Sequence, residues 1–164
     1  LDWLNFEHIR ALSPDDFKSQ ALGQLQAAGL DTTGRDAGYT AAALALCTDK
    51  IKNLNDVAGY IGFFFRDEVV LDAEAAAQAL TPENQPHLAT LREAYAGLAT
   101  FDADSLMESL KATAAAREVK NKVLVMPARV ACTGSKVGPS LYHLMEVLGQ
   151  AEVLKRFDAA LAGM

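Results

Sequence analysis

The sequence predicts an all-α protein built from two packed helical subdomains. Apolar residues return at the i, i+3, i+4 spacing of a helix in segment after segment, and capping residues punctuate them. One stretch, Lys122 to Cys132, is β-branched enough to pass for a strand, but no second run of that quality exists to pair with it. An isolated strand is not stable, so this stretch is read as helical too, bent at Pro127.

Ser13-Pro14-Asp15-Asp16 is a helix start: Ser as N-cap, Pro at the first helical position, acids in the first turn. Phe17, Ala21, Leu25 and Ala28 then share one face, and Gly29 is placed to end the helix. Asp36 to Cys47 is alanine-rich and helix-favouring; Asn53-Leu54-Asn55 interrupts, and Val57 to Phe65 resumes. Thr81-Pro82-Glu83 opens another helix, with Leu88, Leu91, Tyr95 and Leu98 as its stripe. Asp102 caps the next, with Leu106 and Leu110 inward. Leu141, Leu144, Met145 and Leu148 form a stripe closed by Gly149, and Leu154, Phe157 and Leu161 mark a final short helix. Near Val70–Asp72 a Phe-rich helix gives way to an acidic, alanine-rich stretch, so the subdomains are expected at 1–71 and 72–164. No Gly/Ser linker separates them and no internal repeat is visible, so the two are expected to pack closely.

At 164 residues and 51% apolar composition the chain buries one moderate core or two small ones. Its most apolar segment, YIGFFF at 60–65, is bounded by Arg66 and Asp67 and falls far short of the ~20 residues that span a bilayer. No membrane partner is expected. The start, LDWLNFEHIR, has neither the basic n-region nor the apolar h-region of a signal peptide, and it lacks an initiator methionine. The chain is therefore expected to be a cytoplasmic, monomeric piece of something longer. Cys47 and Cys132 are far apart, have apolar neighbours and form no metal-ligand spacing, so two buried reduced thiols are expected and no zinc site.

The net charge of −6 argues against a nucleic-acid partner until its distribution is seen. From Asp67 to Glu108 nine acids stand against Arg92 alone. From Arg117 to Met145 five basic residues (117, 120, 122, 129, 136) stand against Glu118 alone. Such segregation is compatible with a local anion footprint on an acidic protein, but charge alone favours unevenly charged solvated faces.

Catalytic constellations are missing. There is no Gly-rich phosphate loop, no H-E-x-x-H and no G-x-S-x-G, and His8, His87 and His143 stand isolated. A binding role is the better class. The stretch that invites it is MPARVACTGSKVGPSLY, residues 126–142: a turn-rich loop with Arg129 and Lys136, feeding an amphipathic helix. Trp3, Phe63, Phe64 and Phe65 have the spacing of core aromatics.

The tail VMPARVACTGSKVGPSLYHLMEVLG…VLKRF resembles the C-terminal signature of bacterial glutamyl-tRNA synthetases, approximately QPLRVALTG, a short loop, G-P, then an amphipathic helix ending in LLG. The start, LDWLNFEHIRAL, is similar to the family's K-L-x-W-L-N-x-x-Y-I-R, and LCTDKIKNLNDVAGYIGFFF to its L-x-x-x-R-x-K-T-L helix and the aromatic helix that follows. The likeness covers the whole chain in order. It implies the helical-cage anticodon-binding fold of class I synthetases. It also implies that the HIGH-like and KMSKS-like ATP motifs, with ATP and Mg, lie upstream, so that no cofactor belongs to this segment. Zinc, where members carry it, belongs to that upstream half as well. The implied partner is tRNA(Glu), with tRNA(Gln) left open, bound for ligation of glutamate through a glutamyl-adenylate made elsewhere.

By the same resemblance the basic residue that helps read the last anticodon base falls at Lys50, with Lys52 close behind. Lysine offers a point charge where the family's arginine offers a planar fork. The arginine of QPLR falls at Arg129, in a chain that reads M-P-A-R, and the receiving loop and helix start fall at Gly138, Pro139, Ser140 and Leu141. The physics of those positions fits. Unstacked bases are read by edge hydrogen bonds and apolar packing. Gly138 permits close backbone approach. A helix starting near Pro139 aims its N–H groups at an anion. Lys136 and Arg129 supply charge, and Leu141 or Tyr142 an apolar platform. The departures at Lys50, Met126 and Ala128 keep a second reading open: a non-catalytic helical protein–protein interaction domain that has lost tRNA reading.

Overall fold

The computed structural model describes residues 14–30, 32, 36–47, 56–66 and 68–164, and among them every regular element is helical. The chain divides into two compact units, Leu1–Asp67 and Glu68–Met164.

In the first unit, α1 spans Pro14–Ala27, α2 Ala37–Ala45 and α3 Val57–Ile61, which tightens into a 3₁₀ turn at Gly62–Phe65. Ser13, the expected N-cap of α1, lies outside the described residues, as do Asn53-Leu54-Asn55, Trp3 and His8. Phe17, Ala21 and Leu25 are buried as their spacing predicts, but Ala28 is exposed. The reason is the cap: Gly29 adopts φ 82°, and the amide of Leu30 donates to the carbonyl of Leu25 at 3.0 Å. That Schellman-type closure turns Leu30 inward in place of Ala28. The carboxylate of Asp36 caps α2, accepting from the amides of Gly38 (2.9 Å) and Tyr39 (3.3 Å). Tyr39 Oη then donates to the carbonyl of Phe64 at 2.6 Å, tying α2 to the buried Phe63, Phe64 and Phe65.

The second unit contains α4 (Ala73–Ala79), α5 (Gln85–Ala96), α6 (Ala103–Ala116), α7 (Asn121–Thr133), α8 (Leu141–Leu148) and α9 (Gln150–Ala162). The strand-like stretch is α7, and it packs against each of the other five. Its inner side carries Leu124, Ala128, Val130, Ala131 and Cys132, with Pro127 also buried. A proline inside a helix costs about 3 kcal/mol. Burial of an aliphatic side chain contributes roughly 1.5–3 kcal/mol, so several together outweigh it. Small residues at 128, 131 and 132 let neighbouring helices come close.

Two boundaries differ from expectation. Thr81-Pro82-Glu83 forms a turn, closed by the Asn84 amide on the Thr81 carbonyl at 3.0 Å, and α5 begins only at Gln85 with Pro86 in its first turn. Asn84 also donates its side-chain amide to the Ala79 carbonyl at 2.8 Å, finishing α4. The last helix is not short: α9 runs 13 residues and buries Val153, Arg156, Phe157 and Ala160, leaving Leu154 and Leu161 half-buried.

Tyr95 anchors the centre. It is fully buried, donates Oη to the Leu106 carbonyl at 3.0 Å, and packs on Phe101 and Phe157. Helix ends are closed from other elements. Gln150 Nε2 donates to the carbonyls of Tyr95 (2.9 Å) and Leu98 (3.2 Å), and a Glu146 carboxylate oxygen accepts from the Ala103 amide at 2.7 Å. Asp102 caps α6 through the Ser105 amide at 2.8 Å, and hydrogen bonding from the Ser105 side chain, then from its amide, holds the carboxyl below the usual range. Both described cysteines are buried, and desolvation pushes each thiol up to about 12. No described helix is long and apolar enough to cross a membrane.

α7 stops at Gly134, which adopts φ 81°; a Cβ there would overlap the carbonyl oxygen of Val70. Replacing Gly134 by Ala therefore imposes both a left-handed backbone and a clash, and is expected to lower stability by at least about 1 kcal/mol. Urea unfolding checks this; an unchanged midpoint would mean that the turn adapts freely.

Candidate nucleic-acid interface

Asn121, Lys122, Val123, Val125, Met126, Arg129 and Thr133 are the exposed and half-exposed positions of α7, and Lys122, Val125, Met126, Arg129 and Thr133 among them form a stripe that runs into the loop 134–140. Arg129 is half-buried, and its Nη1 donates to the carbonyl of Pro139 at 2.7 Å. The loop thus folds back over the helix that precedes it. Gly138 lies against the guanidinium: a Cβ built there would stand 3.4 Å from Nη1.

The loop is shaped by its own side chains. Thr133 Oγ1 donates to the Arg129 carbonyl at 2.9 Å and accepts from the Ser135 amide at 3.1 Å. The Val137 amide donates to Ser135 Oγ at 3.3 Å. The tip puts Val137 in solvent, 79% exposed. Lys136 Nζ donates to Gln78 Oε1 of α4 at 2.7 Å, a neutral partner that an anion can displace without breaking an ion pair.

Of the residues expected to form the site, Arg129, Lys136, Gly138, Pro139, Ser140, Leu141 and Tyr142 all lie in or beside this loop, and the Arg129–Pro139 bond joins its two ends. Lys50 and Lys52 lie outside the described residues. Pro139 is buried and Leu141 is only 3% exposed, so the Leu141 side chain belongs to the core and the apolar platform rests on Tyr142. Tyr142 is half-buried, and desolvation raises its phenol. Ser140 is exposed at the head of α8, with Oγ 3.0 Å from His143 Nδ1. Leu144 N closes on the Ser140 carbonyl at 2.9 Å, which puts Leu141, Tyr142 and His143 in the open first turn of α8.

One residue was missed by reading the sequence. Arg156 of α9 is 3% exposed, binds Glu152 at 2.9 Å, and donates Nη1 to the Cys132 carbonyl at 2.6 Å. It fixes the end of α7 from which the loop departs. The Glu152/Arg156 spacing of four on an apolar stripe is the signal that could have flagged it.

Fold and loop together define a helical domain with a cationic, half-exposed surface beside an open helix start. The chain belongs to the anticodon binding domain family, which it matches over residues 12–161. It is 35% identical over 164 residues to a glutamate–tRNA ligase of Nitratidesulfovibrio vulgaris, covering 99% of this chain and 35% of that protein. It is also 35% identical over 160 residues to that of Mycolicibacterium smegmatis, covering 97% of this chain and 33% of the relative. The chain thus spans about a third of the length of these relatives. A solved glutamate tRNA ligase from Elizabethkingia meningosepticum shares the fold, with a TM-score of 0.83 at 23% identity over 98% of this chain and 31% of its own.

The Arg129–Pro139 bond predicts that Arg129→Ala loosens the loop while leaving the helices intact. Amide hydrogen exchange should quicken at Val137–Leu141 and stay unchanged in α5 and α9; equal protection throughout would mean that the loop holds without it.

Proposed function

We propose that this chain is the anticodon-recognition part of a glutamate–tRNA ligase. It binds tRNA(Glu) in the cytoplasm for ATP-dependent glutamylation performed by an upstream catalytic domain. The observation that carries the reading is the family match over residues 12–161 joined to a loop whose cation is already held in place. ATP and Mg act in the upstream domain. Relatives along nearly the whole chain are glutamate–tRNA ligases, which favours this reading over a protein–protein interaction domain.

The chemistry follows from the loop. Arg129 carries five N–H donors in a planar fork; the bond to Pro139 sets the fork's direction, so little rotamer freedom is lost when a base edge is bound. Tyr142 offers a half-buried ring on which an unstacked base packs. Lys136 exchanges Gln78 for a phosphate. The reading stands on direct base contacts plus backbone charge, so affinity falls as salt rises while preference among tRNAs persists.

Binding of tRNA(Glu), tRNA(Gln) and an unrelated tRNA across a salt series tests this. Preference for tRNA(Glu), alone or with tRNA(Gln), is expected; equal weak binding to all three contradicts it. Arg129→Ala should cost ~1–3 kcal/mol of specific binding, and retained affinity would make Arg129 scaffold only. Lys50→Arg restores a bidentate fork and should sharpen discrimination against tRNA(Gln); an unchanged ratio would remove Lys50 from base reading.

A further inference from the structure

The basic residues of the second unit divide by partner. Arg92 makes a two-pronged pair with Asp158, Arg117 is held by His87 and Thr90, Arg156 by Glu152, and Lys136 by Gln78. Lys111, Lys120 and Lys122 are exposed and make no ion pair among the described residues; of these, Lys120 and Lys122 lie at the corner where α6 hands over to α7, whereas Lys111 lies within α6. Glu118 stands four positions before Lys122, the spacing of a helical pair, but it lies ahead of α7 with φ 59°, so that geometry is not formed.

Lys122 is seven residues before Arg129 on α7, two turns along the same face, with exposed Met126 between them. At 1.5 Å per residue the two cations stand about 10 Å apart along the axis. A stacked strand carries one phosphate every 3.4 Å or so, so about three nucleotides bridge that distance. A trinucleotide whose bases face the loop at one end therefore brings its backbone to the α6–α7 corner at the other.

We infer that Lys122, with Lys120 beside it, is a phosphodiester contact that continues the candidate site along α7. The partner is the sugar–phosphate backbone of the same RNA whose bases the loop reads. This rests on the proposed anticodon reading and adds to it a positioning contact, blind to sequence, about two helical turns from Arg129. Charge complementarity and continuity with the Arg129 stripe select a polyanionic strand over an apolar partner.

The test uses the full chain and two RNA hairpins, the anticodon stem-loop of tRNA(Glu) and one with a scrambled loop, titrated from low to moderate salt. Lys122→Gln should weaken both by the same factor, about threefold, and reduce the salt slope by about 0.7–0.9, the share of one phosphate. Lys155→Gln, the same charge change on α9, should leave affinity and slope as they were. If Lys122→Gln leaves slope and affinity unchanged while the wild-type chain still prefers its own hairpin, the corner contact is overturned and the anticodon reading stands. A loss confined to the cognate hairpin also overturns it, because the contact is then to a base. If the wild-type chain binds neither hairpin, both fall together.

Discussion

The second unit depends on how α7 is buried and how it ends. This helix touches every other described helix of its unit, so its position sets theirs. Several carbonyls near its end have partners. Val130 accepts the Gly134 amide, Cys132 accepts Arg156, Arg129 accepts Thr133 Oγ1, and Gly134 itself accepts the Asp72 amide at 2.8 Å. A helix end buried this deeply would otherwise leave backbone acceptors unpaired, at about 1–3 kcal/mol each. The left-handed turn at Gly134 releases the chain into the candidate loop, and a buried arginine on α9 holds the carbonyl two residues before it.

The proposed binding surface is a by-product of that architecture. One side of α7 is committed to the core through Leu124, Ala128, Val130 and Ala131; the remaining side presents Lys122, Met126 and Arg129. The acidic residues of α4–α6 lie elsewhere in the sequence and are in part occupied structurally: Asp72 and Asp102 cap helices. Overall net charge of −6 therefore says little about this face, which carries Lys122 and Arg129 and no acidic residue of α7.

Most of the fold was legible because a helix writes a period of 3.6 into its sequence. The stripes Leu88–Leu91–Tyr95 and Leu141–Leu144–Met145–Leu148 are buried as their spacing requires. What was not legible has physical causes. α4 was not assigned as a separate helix because AEAAAQA carries alanine without a stripe, and its cap at Asp72 is visible only once Ala75 is seen to donate to it. Thr81-Pro82-Glu83 has every mark of a helix start, yet a turn closed by Asn84 delays the helix to Gln85. In the candidate site the gathering of Arg129 with Gly138 and Pro139 was foreseeable from the motif. The hydrogen bond that joins them was not, because it depends on the loop's path.

On the proposed reading, α7 and the loop after it form one RNA-reading surface. This is tested most directly by titrating the isotopically labelled chain with a tRNA(Glu) anticodon stem-loop while following its amide resonances. The account predicts that shifts concentrate at Lys122, Met126, Arg129 and Lys136–His143, with α5 and the far side of α9 undisturbed. Shifts confined to the acid-rich helices, or none along α7 at saturating RNA, would contradict it.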